Sequence, residues 1–449
     1  MKKTKIVFSF DTEDLVHEGG ADGILYCVKA LDEVGIKGCF NIVGLLADKL
    51  VQWGRQDVID GLKNHELDIH SLDHSFHPAI NDYTDTEDYD MALNEFLKRE
   101  SLAIEKIDKA FGKAPHVAAC PPGVNVSYVA HYGYDKLGCK VYCGDQIYDW
   151  VCGSPFHFCN LLTTEYDLCF DWYLLQDLSD EDMKAKLDEI VASGKVLYTF
   201  CHHPDRGIYD EHWDLLNFFG KNTPEGEYRF ANRYSDEVID AFYRRMKRLM
   251  ELVKEDERFE IVTYSDLADI YCSEKRVISR DMLPDIKAQL EEKIFPLTSP
   301  LSLSLCDIFL ACRALLLGEK EFTCGSSHGF LGEPFKMRKP NVFTKEQFIE
   351  SAKNIPDSGF LPEFIYIDGV KIGPADWMMG ALEILCGSQS VRITPQEWQI
   401  DLWRIKGFRT LPQMLFKSMD SEKFDYLYKK SELQTWTIRF PKGHKRMFE

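Results

Sequence analysis

The 449-residue chain has no uninterrupted apolar run near the roughly 18 residues that a membrane-spanning helix needs. Nor has it an excess of positive charge, since 53 Lys and Arg stand against 73 Asp and Glu, a formal net charge of -20. Nucleic acids and anionic membrane surfaces are bound through basic faces, so neither is an expected partner. There are 14 cysteines but no CxxC pair. They are scattered through strand-like runs (Cys39, Cys201) and helix-like runs (Cys312, Cys386), which points to buried reduced thiols rather than a disulfide framework. The basic start Met1 to Lys5 is followed by an apolar run, Ile6 to Phe10, that stops at Asp11 with no small-residue cleavage site behind it. It reads as a first β-strand, and the expected location is cytoplasmic.

What is present is ordinary for a globular protein: 45% hydrophobic and 28% charged residues, in a chain long enough for two or three domains. β-branched and aromatic runs predict strands at Lys5 to Phe10, Lys37 to Val43, Glu66 to Ile69, His116 to Ala119, Lys140 to Cys143, Val196 to Cys201 and Phe259 to Thr263, with a further strand-like run ending near Asp171 and Trp172. Helical spacing fills the gaps, at Ile24 to Val34, Leu45 to Leu62, Tyr89 to Phe111, Tyr128 to Leu137, Ser179 to Ala192, Val238 to Val253 and Ser265 to Tyr271. Strands alternating with helices imply parallel strands with helical crossovers. The expected fold is therefore α/β, with a barrel over residues 1–272 and a mainly α-helical accessory domain over 273–449. In that second part Asp307-Ile308-Phe309-Leu310 leads to Gly318 and Asp376-Trp377-Met378-Met379 leads to Gly387, eleven residues on in each case. Matching apolar positions between them suggest two copies of a small unit.

The polar clusters fall just after strands: Asp11 to Asp14, His70 to His77, Pro121 to Gly123, Asp171, and His202 with His203. The carboxyl ends of barrel strands converge on one mouth, which would gather these clusters into one site. His70 and His74 are four residues apart, a spacing that on a helical turn puts both imidazoles on one face. In the extended Asp11-Thr12-Glu13, alternate residues share a face, so both acids face the mouth. Glu13, His70 and His74 then form a two-histidine, one-carboxylate set for a divalent metal, zinc first, with cobalt, nickel, iron or manganese as alternatives. Asp14 is the rival ligand. Asp11 is left as general base toward a water activated by the metal, and His202 or His203 as the acid that protonates a leaving amine. His77 reads as a bystander.

In these features the chain resembles the polysaccharide deacetylases, carbohydrate esterase family four. Their motifs recur in order. The aspartate-rich strand end is Ser9-Phe10-Asp11-Thr12-Glu13-Asp14, and the His-Ser/Thr-x-x-His motif is Glu66 to His74. The Arg-x-Pro-x-Gly motif appears as Ala119-Cys120-Pro121-Pro122-Gly123 without its arginine. An Asp-Trp pair matches Asp171-Trp172, and the apolar strand ending in histidine is Leu197 to His203. The resemblance covers roughly residues 4–272 and implies an incomplete (β/α)7-type barrel. The implied activity is metal-dependent removal of an acetyl group from an N-acetylated sugar or a related C–N amide. Pro122, Gly123, Asp171 and Trp172 would lie against substrate. In the family the arginine tunes the catalytic aspartate, so its absence leaves two alternatives: another residue substitutes, or the protein is a catalytically weakened, glycan-binding member. The C-terminal part is faintly similar to pseudomurein-binding repeats, through Phe348-Ile349, Gly359 to Pro362 and Ile365 to Gly369. Substrate identity and oligomeric state are left open.

Overall fold

The computed structural model describes residues 3–122, 127–145, 154–356, 359–398, 427 and 429–444. These fall into two compact units, one within Met1–Pro155 and Leu161–Cys272, the other within Phe156–Asn160, Ser273–Trp403 and Leu427–Glu449.

The first unit is built on a curled, mainly parallel sheet, an incomplete α/β barrel. Its strands are β1 (Thr4–Thr12), β2 (Cys39–Ile42), β3 (Glu66–Ile69), β4 (Ala118–Ala119), β5 (Val141–Asp145), β6 (Leu161–Glu165), β7 (Leu168–Cys169), β8 (Leu197–His202) and β9 (Phe259–Ile261). Across the sheet they run β6-β5-β4-β3-β2-β1-β8-β7, and β9 pairs with the start of β1. The central strand β1 is held by parallel ladders on both sides, Ser9 to Thr12 against β2 and Lys5 to Phe10 against β8. Period-two alternation divides its side chains. Ile6, Phe8 and Phe10 point outward into a large core shared with the surrounding helices. Val7 points inward, where it meets Cys39, Ala118, Cys120, Val141, Cys143, Tyr264 and Leu267. Small thiols suit this narrow interior, and every cysteine among the described residues is free.

The helices follow from apolar stripes and their stops. Helix α1 (Gly20–Val34) buries Ile24, Cys27, Val28, Leu31 and Val34 on one face. It ends where Gly35, at φ 70°, turns its N–H back to the carbonyls of Leu31 and Asp32. The single helix expected from Leu45 to Leu62 is two, α2 (Gly44–Gln52) and α3 (Gln56–Leu62). Gly54 adopts φ 69° between them, a left-handed conformation that interrupts a helix. The long α4 (Tyr89–Phe111) starts on an Asp88 cap and buries Leu93, Phe96, Glu100, Ala103 and Ile107 along one stripe. Further helices are α5 (Tyr128–Lys136), α6 (Asp180–Ala192), α7 (Asp236–Glu255) and α8 (Tyr264–Cys272). Full burial of side chains such as Phe8, Phe10 and Phe40 stabilises the unit by about 1.5–3 kcal/mol apiece.

The second unit combines helices with short two-stranded ribbons. Strand Val277–Ser279, helix Leu283–Glu292, helix Leu305–Leu316 and strand Glu321–Thr323 follow in order. Then come strand Asn341–Thr344, helix Lys345–Lys353, hairpin Ile365–Ile367 with Val370–Ile372, helix Pro374–Leu385 and strand Ser390–Ile393. In each series the first and last strands pair antiparallel. Asp307 and Asp376 both sit in the first helical turn, and both helices are followed by a glycine at positive φ, Gly318 and Gly387.

Candidate active site

The site lies at the carboxyl ends of β1, β3 and β8. Inward-facing positions at these ends carry polar groups that the apolar interior beneath excludes. Glu13, just past β1, extends the alternation of Ser9 and Asp11. Its Oε2 lies 3.0 Å from His70 Nε2 and 2.8 Å from His74 Nε2, and its Oε1 accepts from Trp213 Nε1 at 3.3 Å. All three ligand candidates are buried.

The pairing of His70 with His74 has a different origin from the helical turn expected from their spacing. His70 follows directly on β3, and the segment after it is a series of turns in which Ser71 and His74 adopt φ 65° and 54°. Left-handed residues bend the chain back on itself, which brings the two imidazole centroids to 5.1 Å. The loop is pinned inside by Ser71 Oγ, which accepts from the His74 N–H at 3.0 Å, and from outside by Glu100 Oε1, which accepts from the Leu72 N–H at 3.2 Å.

A buried carboxylate between two imidazoles is a donor set that suits a divalent cation. One ligand atom from each of Glu13, His70 and His74 lies within 4.8 Å of the others. The Nδ1–H of His70 donates to the Cys120 carbonyl, which orients the ring so that Nε2 is the nitrogen turned toward Glu13. His74 Nδ1 lies 3.5 Å from the Asp214 carboxylate and 3.2 Å from Ser75 Oγ, so its Nε2 is oriented in the same way. Burial works to raise the Glu13 carboxyl, but the charges of His74 and His203 and the hydrogen bonds from His70 and His74 hold it well below the usual carboxylate range.

Asp14 is engaged elsewhere. Its Oδ1 accepts from the N–H groups of Val16 and His17, both at 2.9 Å, and its Oδ2 from His17 Nδ1 at 2.8 Å. His17 Nε2 in turn accepts from the Ala231 N–H at 2.9 Å, which makes Nδ1 the protonated nitrogen. Asp14 is thus absorbed in the turn that leads into α1. His77 is bonded to Asp82 at 3.0 Å and to the Phe218 carbonyl at 2.9 Å, away from the ligand group.

Asp11 stands beside the ligand group with its two oxygens in unlike surroundings. Oδ1 accepts from Tyr166 Oη at 2.6 Å and from Asn41 Nδ2 at 2.7 Å, with Cys120 Sγ at 3.7 Å. Oδ2 faces His203 Nε2 at 3.7 Å. Asp171 lies in a short helix, Phe170–Tyr173, where a strand end was expected. Its carboxylate is shared by both histidines: Oδ1 accepts from His202 Nδ1 at 2.7 Å and the His203 N–H at 3.0 Å, and Oδ2 from His203 Nδ1 at 2.6 Å. The two histidines then differ. The His202 ring is fully buried among Phe10, Phe170 and Phe242, and burial pulls its pKa down. His203 keeps 22% of its side chain exposed and turns Nε2 to Asp11; against the effect of burial, Asp171 and Glu13 push its pKa well up. Trp172 is 58% exposed, with its ring 6.5 Å from His212. Pro122 is buried, and Gly123 lies outside the described residues.

The structure therefore brings Asp11, Glu13, His70, His74, His203 and Asp171 together and leaves Asp14 and His202 in supporting positions. Residues absent from the sequence reading complete the site: Asn41, Tyr166, Trp213 and Asp214. Trp213 and Asp214 come from the stretch between β8 and α7, on the short helix Trp213–Asn217. Asn41 had a signal, a polar side chain inside the apolar strand Cys39–Ile42, while Tyr166 follows β6 with no pattern to mark it.

No protein-family model matches the chain, and no curated protein matches it. Solved structures do. A family 4 carbohydrate esterase from Streptomyces lividans in complex with acetate is similar at 13% identity and a TM-score of 0.30, over 59% of this chain and 94% of that one. A family 4 acetyl xylan esterase from Clostridium thermocellum in complex with a cobalt ion is similar at 16% identity and a TM-score of 0.32, over 60% and 91%. A peptidoglycan deacetylase from Bacillus subtilis is similar at 16% identity and a TM-score of 0.30, over 60% and 91%.

Proposed function

We propose that the protein is a metal-dependent hydrolase that removes an acetyl group from an N-acetylated sugar or a related C–N amide. The observation that carries this reading is the buried Glu13, His70 and His74 set with a separately held carboxylate, Asp11, beside it. Bound there, a divalent ion supplies Lewis-acid activation of the acetyl carbonyl and of a water. Three protein ligands leave coordination positions open, as a hydrolytic site requires and a structural site does not.

The chain's own groups supply the proton transfers. Asp11 Oδ2, the oxygen not engaged by Tyr166 and Asn41, takes the proton of the attacking water. His203 Nε2 gives a proton to the departing nitrogen, and Asp171 on its Nδ1 holds the ring in the protonated, correctly turned form. Amide hydrolysis needs an acid as well as a base, because an amine leaves only when protonated. His202 buttresses Asp171 from the core side. The exposed Trp172 presents apolar surface to a sugar ring.

The test combines metal analysis with turnover. The full chain is expected to bind one equivalent of zinc or cobalt and, so loaded, to release acetate from N-acetylglucosamine oligomers. His70→Ala is expected to lose both. Metal-loaded protein that binds such oligomers and releases no acetate would instead establish a glycan-binding role.

A further inference from the structure

A carboxylate that serves as base next to an anionic ligand has to be held in one orientation. Asp11 and Glu13 are both buried, and with His203 they present ligand atoms within 4.8 Å of one another. The two acids repel at this distance, and in such a setting a base is commonly steadied by a neighbouring cation. Here the segment that passes beside Asp11, Ala118 to Pro122, brings a thiol and no cation. The surroundings of Oδ1 are instead neutral donors.

Resting on the reading of Asp11 as base, we propose that Tyr166 is its positioning residue. The Tyr166 hydroxyl lies at the centre of a buried polar group: 2.6 Å from Asp11 Oδ1, 2.8 Å from Cys120 Sγ, 3.0 Å from Asn41 Nδ2 and 3.3 Å from Ser9 Oγ. A phenol has one proton to give, and the one anion among these partners is Asp11. The proton therefore goes to Oδ1, in a charge-assisted bond of the short length expected for O–H···O⁻. The phenolic oxygen can then accept from the Cys120 thiol, while Asn41 Nδ2 gives one N–H to Asp11 Oδ1 and shares the other between Tyr166 and Ser9 Oγ, which lies 2.9 Å away. Burial, with the Asp11 charge adding to it, pushes the Tyr166 hydroxyl well above its ordinary value, so it stays a donor through the neutral range.

The consequence is a division of labour within one carboxylate. Oδ1 is saturated by Tyr166 and Asn41 and cannot turn away from them without leaving buried donors unpaired. Oδ2 is thereby aimed at the face where Glu13 and His203 meet. Asn41 alone contributes one donor from β2 and leaves the carboxylate free to pivot about it; Tyr166, arriving from the far edge of the sheet beyond β6, supplies the second point.

The experiment is Tyr166→Phe in the full chain, beside Tyr264→Phe as control, because the Tyr264 hydroxyl also lies in the barrel interior but donates to Ser9 at 3.1 Å. Three quantities are read: kcat and KM for acetate release from an N-acetylglucosamine oligomer, cobalt affinity by chelator competition, and the orientation of Asp11 in crystal structures. Tyr166→Phe is expected to lower kcat by about 10- to 100-fold, the size of one hydrogen bond to a charged group, with KM and cobalt affinity within about twofold of wild type. Its Asp11 carboxylate is expected in a second orientation, and Tyr264→Phe is expected to match wild type in all three. A Tyr166→Phe protein with full kcat and an unmoved Asp11 would overturn the proposal, as would equal losses in both variants. If the wild type itself released no acetate while Asp11 still turned in Tyr166→Phe, the hydrolase reading would fail and the positioning role would stand.

Discussion

Glu100 gives the sharpest quantitative expectation. It lies in the middle of α4, buried, and its carboxyl spans two groups: Oε1 accepts from the Leu72 N–H at 3.2 Å, between His70 and His74, and Oε2 accepts from the Tyr134 hydroxyl at 3.0 Å. Burial, and secondarily the nearby Asp73, raise its pKa from 4.5 to about 8. The sign follows directly. An acid whose folded pKa exceeds its unfolded one binds its proton more tightly when folded, so the fold loses stability as pH rises between the two values. The loss begins near pH 4.5 and is complete near pH 8, and it amounts to on the order of 2–5 kcal/mol. Glutamine removes the titration and keeps an oxygen for the Leu72 N–H, but sets an NH2 against the Tyr134 hydroxyl, which donates to Oε2 in the wild type. Relative to wild type, Glu100→Gln should therefore gain stability steadily between about pH 5 and about pH 8, with a constant difference above that range. Urea denaturation across this range measures the difference. Parallel stability profiles for the two proteins would refute the reasoning.

Two further expectations separate supporting residues from the site itself. Asp14→Asn keeps the acceptor for the Val16 and His17 N–H groups but sets an NH2 against the protonated His17 Nδ1, which should cost about 1–3 kcal/mol of stability; cobalt affinity, followed by titration, should stay unchanged. Asp171→Asn removes the nearest charge that raises His203, so the alkaline limb of the kcat profile should move to lower pH, with no movement of the acid limb.

Glu13, His70 and His74 could be picked out from the sequence as a candidate group because their chemistry is concentrated. His70 and His74 sit in one short stretch after an apolar strand, and Glu13 follows from the two-residue period of β1. The convergence of strand ends then supplies Asp11 and His203. Other positions depend on tertiary context. Trp213 and Asp214 reach the site from a stretch without regular pattern, and Tyr166 gains its role only when β6 lies in register along the sheet. Glu100 left a trace: it occupies the apolar stripe of α4, between Phe96 and Ala103. A charged residue on a buried stripe signals a polar partner within the core. Asp14 and His202 show the converse. Their residue types suited ligation and catalysis, and local geometry gave them to a turn and to the aromatic core. The helical reading of the histidine pair failed because positive φ at Ser71 and His74 reaches the same proximity without a helix.

The central claim is that Asp11 acts as base beside a metal held by Glu13, His70 and His74. The most direct test is acetate release by Asp11→Asn compared with wild type at equal, measured metal occupancy. The account predicts full occupancy in both and a loss of kcat of about 100-fold or more in the variant, the contribution typical of a general base. Undiminished turnover in metal-loaded Asp11→Asn would contradict it.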